Sequence, residues 1–210
     1  MIGIDNLLLF LITVFLLNLT PGPDTIYIIS RSVAQGKRAG ISTALGISTG
    51  CLFHTLAGAF GFSALIMASP GSFFIIKIAG AIYLIFQGLL MILNHSKGLN
   101  PQHTKSPQRH LLLIYRQGTI TNILNPKVAL FFIAFLPQFI SDGSPNKTLS
   151  FIILGILFIT SGTLWCLLVA LFSAYFSASL RTHSKWYQYL NKLNGVVFIG
   201  LGIKLAFNKQ

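Results

Sequence analysis

Asp24 and Lys127 each stand directly after a helix-breaking proline inside an apolar run, as Thr20-Pro21-Gly22-Pro23-Asp24 and as Asn125-Pro126-Lys127. In hydrocarbon every backbone N–H and C=O needs an internal partner, so a mid-span proline is tolerated only where protein or a water-filled cavity surrounds it. A charge at that depth adds about 2.5–3.5 kcal/mol on insertion scales. Both costs incurred together, in two places, point to a solute site. One anion and one cation facing a shared cavity complement a zwitterion such as an amino acid. Its carboxylate suits Lys127, and its ammonium suits Asp24 and unwound carbonyls such as those of Leu19 and Leu124. A permanent Asp24–Lys127 salt bridge that ties the bundle together is the structural alternative.

A new half-helix is expected to start at each break, with Thr20 and Asn125 as N-caps and Pro21 and Pro126 at the first helical position. The positive end of such a helix stabilises Asp24 and repels Lys127, so the lysine is predicted to need an anionic partner. Asn18 and Asn122 precede the breaks and can satisfy freed backbone groups or line the pathway. His54 falls on the small-residue face Gly46, Gly50, His54, Gly58, which predicts that it faces protein. Packing and a proton relay with Asp24 both remain open for it. Gln87 and Gln138 are expected to bond between helices, Trp165, Trp186 and Tyr187 to pack or anchor, and Cys51 and Cys166 to pack. His95, His103 and His110 lack neighbouring carboxylates or thiols and read as loop residues, so no metal site and no cofactor is expected.

The elements that must hold these residues are membrane spans. Of 210 residues 53% are hydrophobic and 9% charged, and a mean hydropathy of +0.74 excludes a charged soluble surface. The excess of 15 Lys+Arg over 3 Asp+Glu lies between apolar runs and not along one polar face, which argues for membrane topology over nucleic-acid binding. Apolar windows predict an all-α integral membrane protein with six transmembrane helices, near 4–30, 40–68, 73–93, 111–140, 149–174 and 190–207. The first and fourth are long enough to be broken at their prolines. The N-terminal run has no basic flank and no small-residue cleavage site, so it reads as a retained span.

Ten basic residues fall on one side: Arg31, Lys37 and Arg38; Lys97, Lys105, Arg109 and Arg116; Arg181, Lys185 and Lys192. Lys147, Lys204 and Lys209 fall on the other, so both termini are expected outside. Lys77 can snorkel to the interface, whereas Lys127 cannot. The chain reads as one transporter domain over 1–210, with a polar linker at about 94–110 between halves at about 1–93 and 111–210. Three spans per half force opposite orientations. Pro23-Asp24 matches Pro126-Lys127, Leu45 to Ile47 matches Leu154 to Ile156, and Lys77 to Tyr83 matches Lys192 to Phe198. Two inverted three-helix repeats are therefore expected.

The run Leu19 to Asp24, the loop Gly36 to Gly40 leading into Ala44 to Gly50, Gly80 to Leu84, and Asn125 to Phe132 with Pro137 to Phe139 resemble the LysE/RhtB family of amino-acid exporters. The resemblance covers most of the chain outside the linker. It implies a bacterial inner-membrane exporter of amino acids or derivatives such as homoserine and its lactone, driven by the proton gradient. Asp24 and Lys127 occupy the positions of the family's characteristic charges. Monomer and homodimer both stay open. Competing readings are a metal-ion or other small-cation exporter, limited by the scarcity of acidic residues, and a membrane-embedded redox or acid–base enzyme. The enzyme reading lacks HExxH, GxSxG and CxxC.

Overall fold

A computed structural model describes residues 3–68, 70–93, 110–141 and 143–175, together with 192, 195, 196, 198–200, 202, 203 and 205–207. The side chains of 62–73, 76, 77 and 91 lie outside the description. Most of the described residues are helical, and among them there is no strand beyond one isolated antiparallel bridge between Ile4 and Ile140. Helices α1 (Leu7–Leu19) and α2 (Pro23–Gln35) form one bent pair, and α5 (Leu111–Ile123) and α6 (Pro126–Leu130) with its continuation to Phe139 form another. The bends are 50° and 48°. Between them run α3 (Lys37–Ala68) and α4 (Pro70–Leu93), and α7 (Lys147–Tyr175) follows.

Helices α3 and α7 are long and apolar enough to cross a bilayer, and each bent pair is as well if counted as one span. These four coincide with the predicted spans at 40–68, 149–174, 4–30 and 111–140. Helix α4 covers the predicted span at 73–93, and helical residues recur between Phe198 and Phe207 for the last. Large apolar side chains such as Leu8, Phe15, Phe53, Phe60 and Leu164 stand on the outside of the bundle, where only hydrocarbon accommodates so many. The predicted loop residues His95 and His103, the bases Lys97, Lys105, Arg109, Arg181, Lys185, Lys204 and Lys209, the anchors Trp186 and Tyr187, and the side chain of Lys77 lie outside the described residues. His110 is more than a loop residue: it caps α5, its Nδ1 accepting from Leu112 N at 3.4 Å.

The first break departs from the expected capping. Thr20 ends α1, its N–H bonding Leu17 O at 3.2 Å and its hydroxyl donating to Leu16 O at 3.0 Å. Gly22, in extended conformation, is the N-cap of α2, and Pro23, not Pro21, takes the first helical position. The residue before a proline is pushed out of the α region, so Pro23 holds Gly22 extended and delays the helix by two residues. The second break has a single proline and behaves as predicted. The Asn125 side chain accepts from Lys127 N at 3.0 Å, and Pro126 opens α6.

Beyond α6 the chain widens into a π turn (Phe131–Phe135) and tightens into a 3-10 turn (Leu136–Phe139) that contains Pro137, which has no N–H for the regular ladder. The turn packs Phe131 and Phe132 on Phe158 of α7, at centroid distances of 5.0 Å each, and Phe139 on Phe10 of α1 at 5.2 Å. Helix α3 lies along both α5 and α7. Gly46 meets the Tyr115 carbonyl and Gly50 meets Asn122, so this part of the small-residue face is the seam with α5, while Gly58 meets Phe151 of α7. Gln87, expected to bridge helices, donates instead to Tyr83 on its own helix at 2.8 Å, because the two lie one turn apart. Gln138 donates to Ala134 O, four residues back, at 3.4 Å.

Candidate functional site

The two breaks meet, and each charge is held by the other's break. Asp24, in the first turn of α2, accepts at Oδ2 from Asn122 Nδ2 at 2.8 Å and from Asn125 Nδ2 at 2.9 Å, the last turn of α5 and the cap of α6. Lys127 reaches the opposite way, its Nζ donating to Leu17 O at 3.2 Å and Thr20 O at 3.0 Å. Thr20, Asn122 and Asn125 are fully buried. A Cβ on Gly22 would stand 3.4 Å from the ammonium, in ordinary van der Waals contact.

Of the two anions expected beside Lys127, Asp24 does not pair with it, and the C-terminal end of α1 holds the ammonium. Its own helix start repels the lysine, but the carbonyls freed at the first break carry the negative end of another helix dipole. The carbonyls so occupied are those of Leu17 and Thr20, which flank Leu19, one of the two residues whose carbonyls were expected to receive a substrate ammonium. Asp24 and Lys127 form no ion pair with each other, so the permanent salt bridge is not what joins the breaks.

Both charges border a cavity of about 40 Å³. Leu17, Asn18, Asp24 and Thr25 line it from the first break, and Asn122, Lys127 and Val128 from the second. The rest of the wall comes from one face of α3, with Ile47, Ser48 and Cys51, and one face of α7, from Phe158 through Gly162 to Trp165 and Cys166. Ser48 and Thr163 share a hydrogen bond of 2.7 Å across these helices. Since a water needs about 10–15 Å³ and a cavity of about 150 Å³ takes benzene, this volume admits a few waters and no amino acid.

Pro21 and Pro23 shape the first break and do not line the cavity, and Pro126 does the same at the second. His54 also stands outside the wall. It donates from Nε2 to Asn122 O at 3.1 Å, the only role a carbonyl partner allows, and stacks on Phe132 at 5.8 Å. It reaches Asp24 only through Asn122.

Trp165 is a correction. Expected to pack or anchor, it lines the cavity with its indole N–H buried and unpartnered. The thiols of Cys51 and Cys166, expected as packing, are also on this wall, both free. The missed residues recur at Phe158, Gly162, Trp165 and Cys166, a helical face that interrupts the apolar run of α7 with small and polar groups. That spacing marks a face of the helix without saying that a cavity takes it.

A family model described as LysE type translocator matches residues 15–209. An uncharacterized membrane protein of Bacillus subtilis (strain 168) is 30% identical over 211 residues, covering 97% of this chain and 99% of the relative. A leucine efflux protein of Salmonella typhimurium is 29% identical over 206 residues, with 97% of this chain and 96% of the relative covered. No solved structure matches.

Proposed function

The chain belongs to the LysE type translocator family, and from that premise we propose that it exports small neutral amino acids across the bacterial inner membrane in exchange for protons. As a translocator it is not an enzyme, which sets aside the membrane-embedded redox or acid–base reading. One observation carries the substrate class: Asp24 and Lys127 border one cavity, unpaired with each other, and Asp24 Oδ1 is buried without a partner. A zwitterion bridging the two completes their electrostatics.

The same wall argues for a neutral side chain. Ile47, Val128, Phe158 and Ile159 supply apolar surface, and among the described residues no second carboxylate or ammonium lines the cavity. A cationic or acidic side chain would be buried without a counter-ion, a loss of about 3–5 kcal/mol for an uncompensated charge. Aliphatic amino acids fit best.

An inverted three-plus-three repeat supplies the moving parts in this reading. The first bent pair packs on α7, and the second packs on α3, so the broken span of each half leans on the second helix of the other. Gly88 of α4 comes against Gly195, bringing the third helices of both halves together. Rocking of these units opens the site to one side and then the other. Asp24 takes a proton when the substrate leaves, so that the unloaded site returns without a lone carboxylate. His54 braces the second break through Asn122. Both termini face the periplasm, as the loop charges favour.

Counterflow in proteoliposomes tests the reading. Vesicles loaded with unlabelled leucine should accumulate labelled leucine saturably, and arginine or glutamate should compete poorly. Absence of counterflow across a panel of neutral amino acids would overturn it.

A further inference from the structure

We propose that the indole N–H of Trp165, on the α7 wall of the cavity that Asp24 and Lys127 border, is a recognition donor for the substrate carboxylate. The inference rests on the amino-acid reading above and assigns the half of the head group that reading leaves thin.

Lys127 is too committed to bind a carboxylate alone. An ammonium has three N–H donors, and two of them go to Leu17 O and Thr20 O. One remains for both oxygens of a carboxylate, so a second donor is required nearby. Trp165 Nε1 is buried, has no hydrogen-bond partner and belongs to the same cavity wall. A buried N–H with no partner costs about 1–3 kcal/mol, so a partner is expected in the loaded site. Some of the other polar groups on this wall are engaged, since Ser48 bonds Thr163 and the Asn122 amide nitrogen holds Asp24, while Asn18 and Thr25 line it beside the first break.

The free inventory then matches an α-amino acid head group. Lys127 and Trp165 offer one N–H each to the two carboxylate oxygens, and Asp24 Oδ1 and Asn122 Oδ1, both buried without a partner, stand ready for the ammonium. Tryptophan also suits the place physically, because its ring completes the apolar wall beside Phe158 while its edge carries the single polar atom.

Trp165→Phe tests this, since it keeps the ring and removes the N–H. The readout is half-maximal leucine concentration in counterflow, set against inhibition by 3-methylbutylamine, which is leucine without its carboxylate. The half-maximal leucine concentration should rise about tenfold or more, with amine inhibition unchanged. Equal leucine affinity in variant and wild type would overturn the proposal, and so would parallel loss for leucine and amine, which marks a merely structural role. Absence of counterflow in the wild type would instead sink the exporter reading and this inference with it. Should Trp165→Phe not be recovered folded, Trp186→Phe leaves Trp165 as the sole tryptophan. Leucine should then shift its emission saturably while the amine does not, and silence towards leucine would overturn the proposal.

Discussion

Lys127 explains how a lysine survives where no anion touches it. Its ammonium sits on two main-chain carbonyls that the first break has already withdrawn from their helix, so one cost offsets the other. Asp24 is the mirror case, a carboxylate held by two amide side chains of the second break. Each hydrogen bond to a charged group contributes about 1.5–3 kcal/mol, so removing one charge loosens both breaks. Lys127→Met should therefore lower the melting temperature in detergent and abolish leucine counterflow while insertion into the membrane persists. Full counterflow in that variant would remove carboxylate binding from Lys127. Asp24→Asn should likewise abolish export, because an amide cannot balance the substrate ammonium or carry a proton between the two sides.

At the scale of elements, the close approach of α3 and α5 sets the position of Asn122 and through it Asp24. A Cβ on Gly50 would stand 2.6 Å from Asn122 Oδ1 and 2.7 Å from Asn122 Cβ, whereas one on Gly61 meets nothing within 4 Å. Gly50→Val should cost about 1–3 kcal/mol by overpacking and displace the amide that holds Asp24, so melting temperature and export should fall together. Gly61→Ala, on the same helix, should be neutral or stabilising by about 0.5–1 kcal/mol, since alanine favours the helix. Equal behaviour of the two variants in a melting assay would show that the seam does not set the site. The two breaks also show why local capping rules transfer unevenly: one proline starts a helix where it stands, but two in alternation move the start past the second.

The whole molecule has a cavity several times too small for its proposed cargo, and cross-links lie at both ends of it. Towards Arg31, Tyr27 Oη donates to Gln117 Oε1 at 2.7 Å, joining α2 to α5. At the opposite end, Asp5 N bonds Phe139 O at 2.9 Å and Ser141 N bonds Gly3 O at 3.0 Å, joining the N-terminus to the second broken span. In the proposed cycle these ties open in turn, as alternating access built from two hinged spans. If Asp24 carries the returning proton, an inward-directed pH gradient should accelerate leucine efflux from cells or vesicles and its collapse should slow it. Flux indifferent to the gradient would dismiss proton exchange and leave the binding site untouched.

The amino-acid order alone determined the membrane class, the two broken spans and the residues at their breaks, because span length, proline and buried charge are local costs that a chain displays before it folds. Packing decided the partners. That Lys127 would rest on α1 carbonyls and Asp24 on Asn122 and Asn125 depends on two segments about a hundred positions apart meeting at one depth. Trp165 and the cysteines could not be told from ordinary core residues on α7 and α3, since an apolar helix shows its spacing but not which face a cavity will take. Only the tertiary structure, by placing that face against both breaks, turned an unremarkable tryptophan into the group best placed to meet a carboxylate.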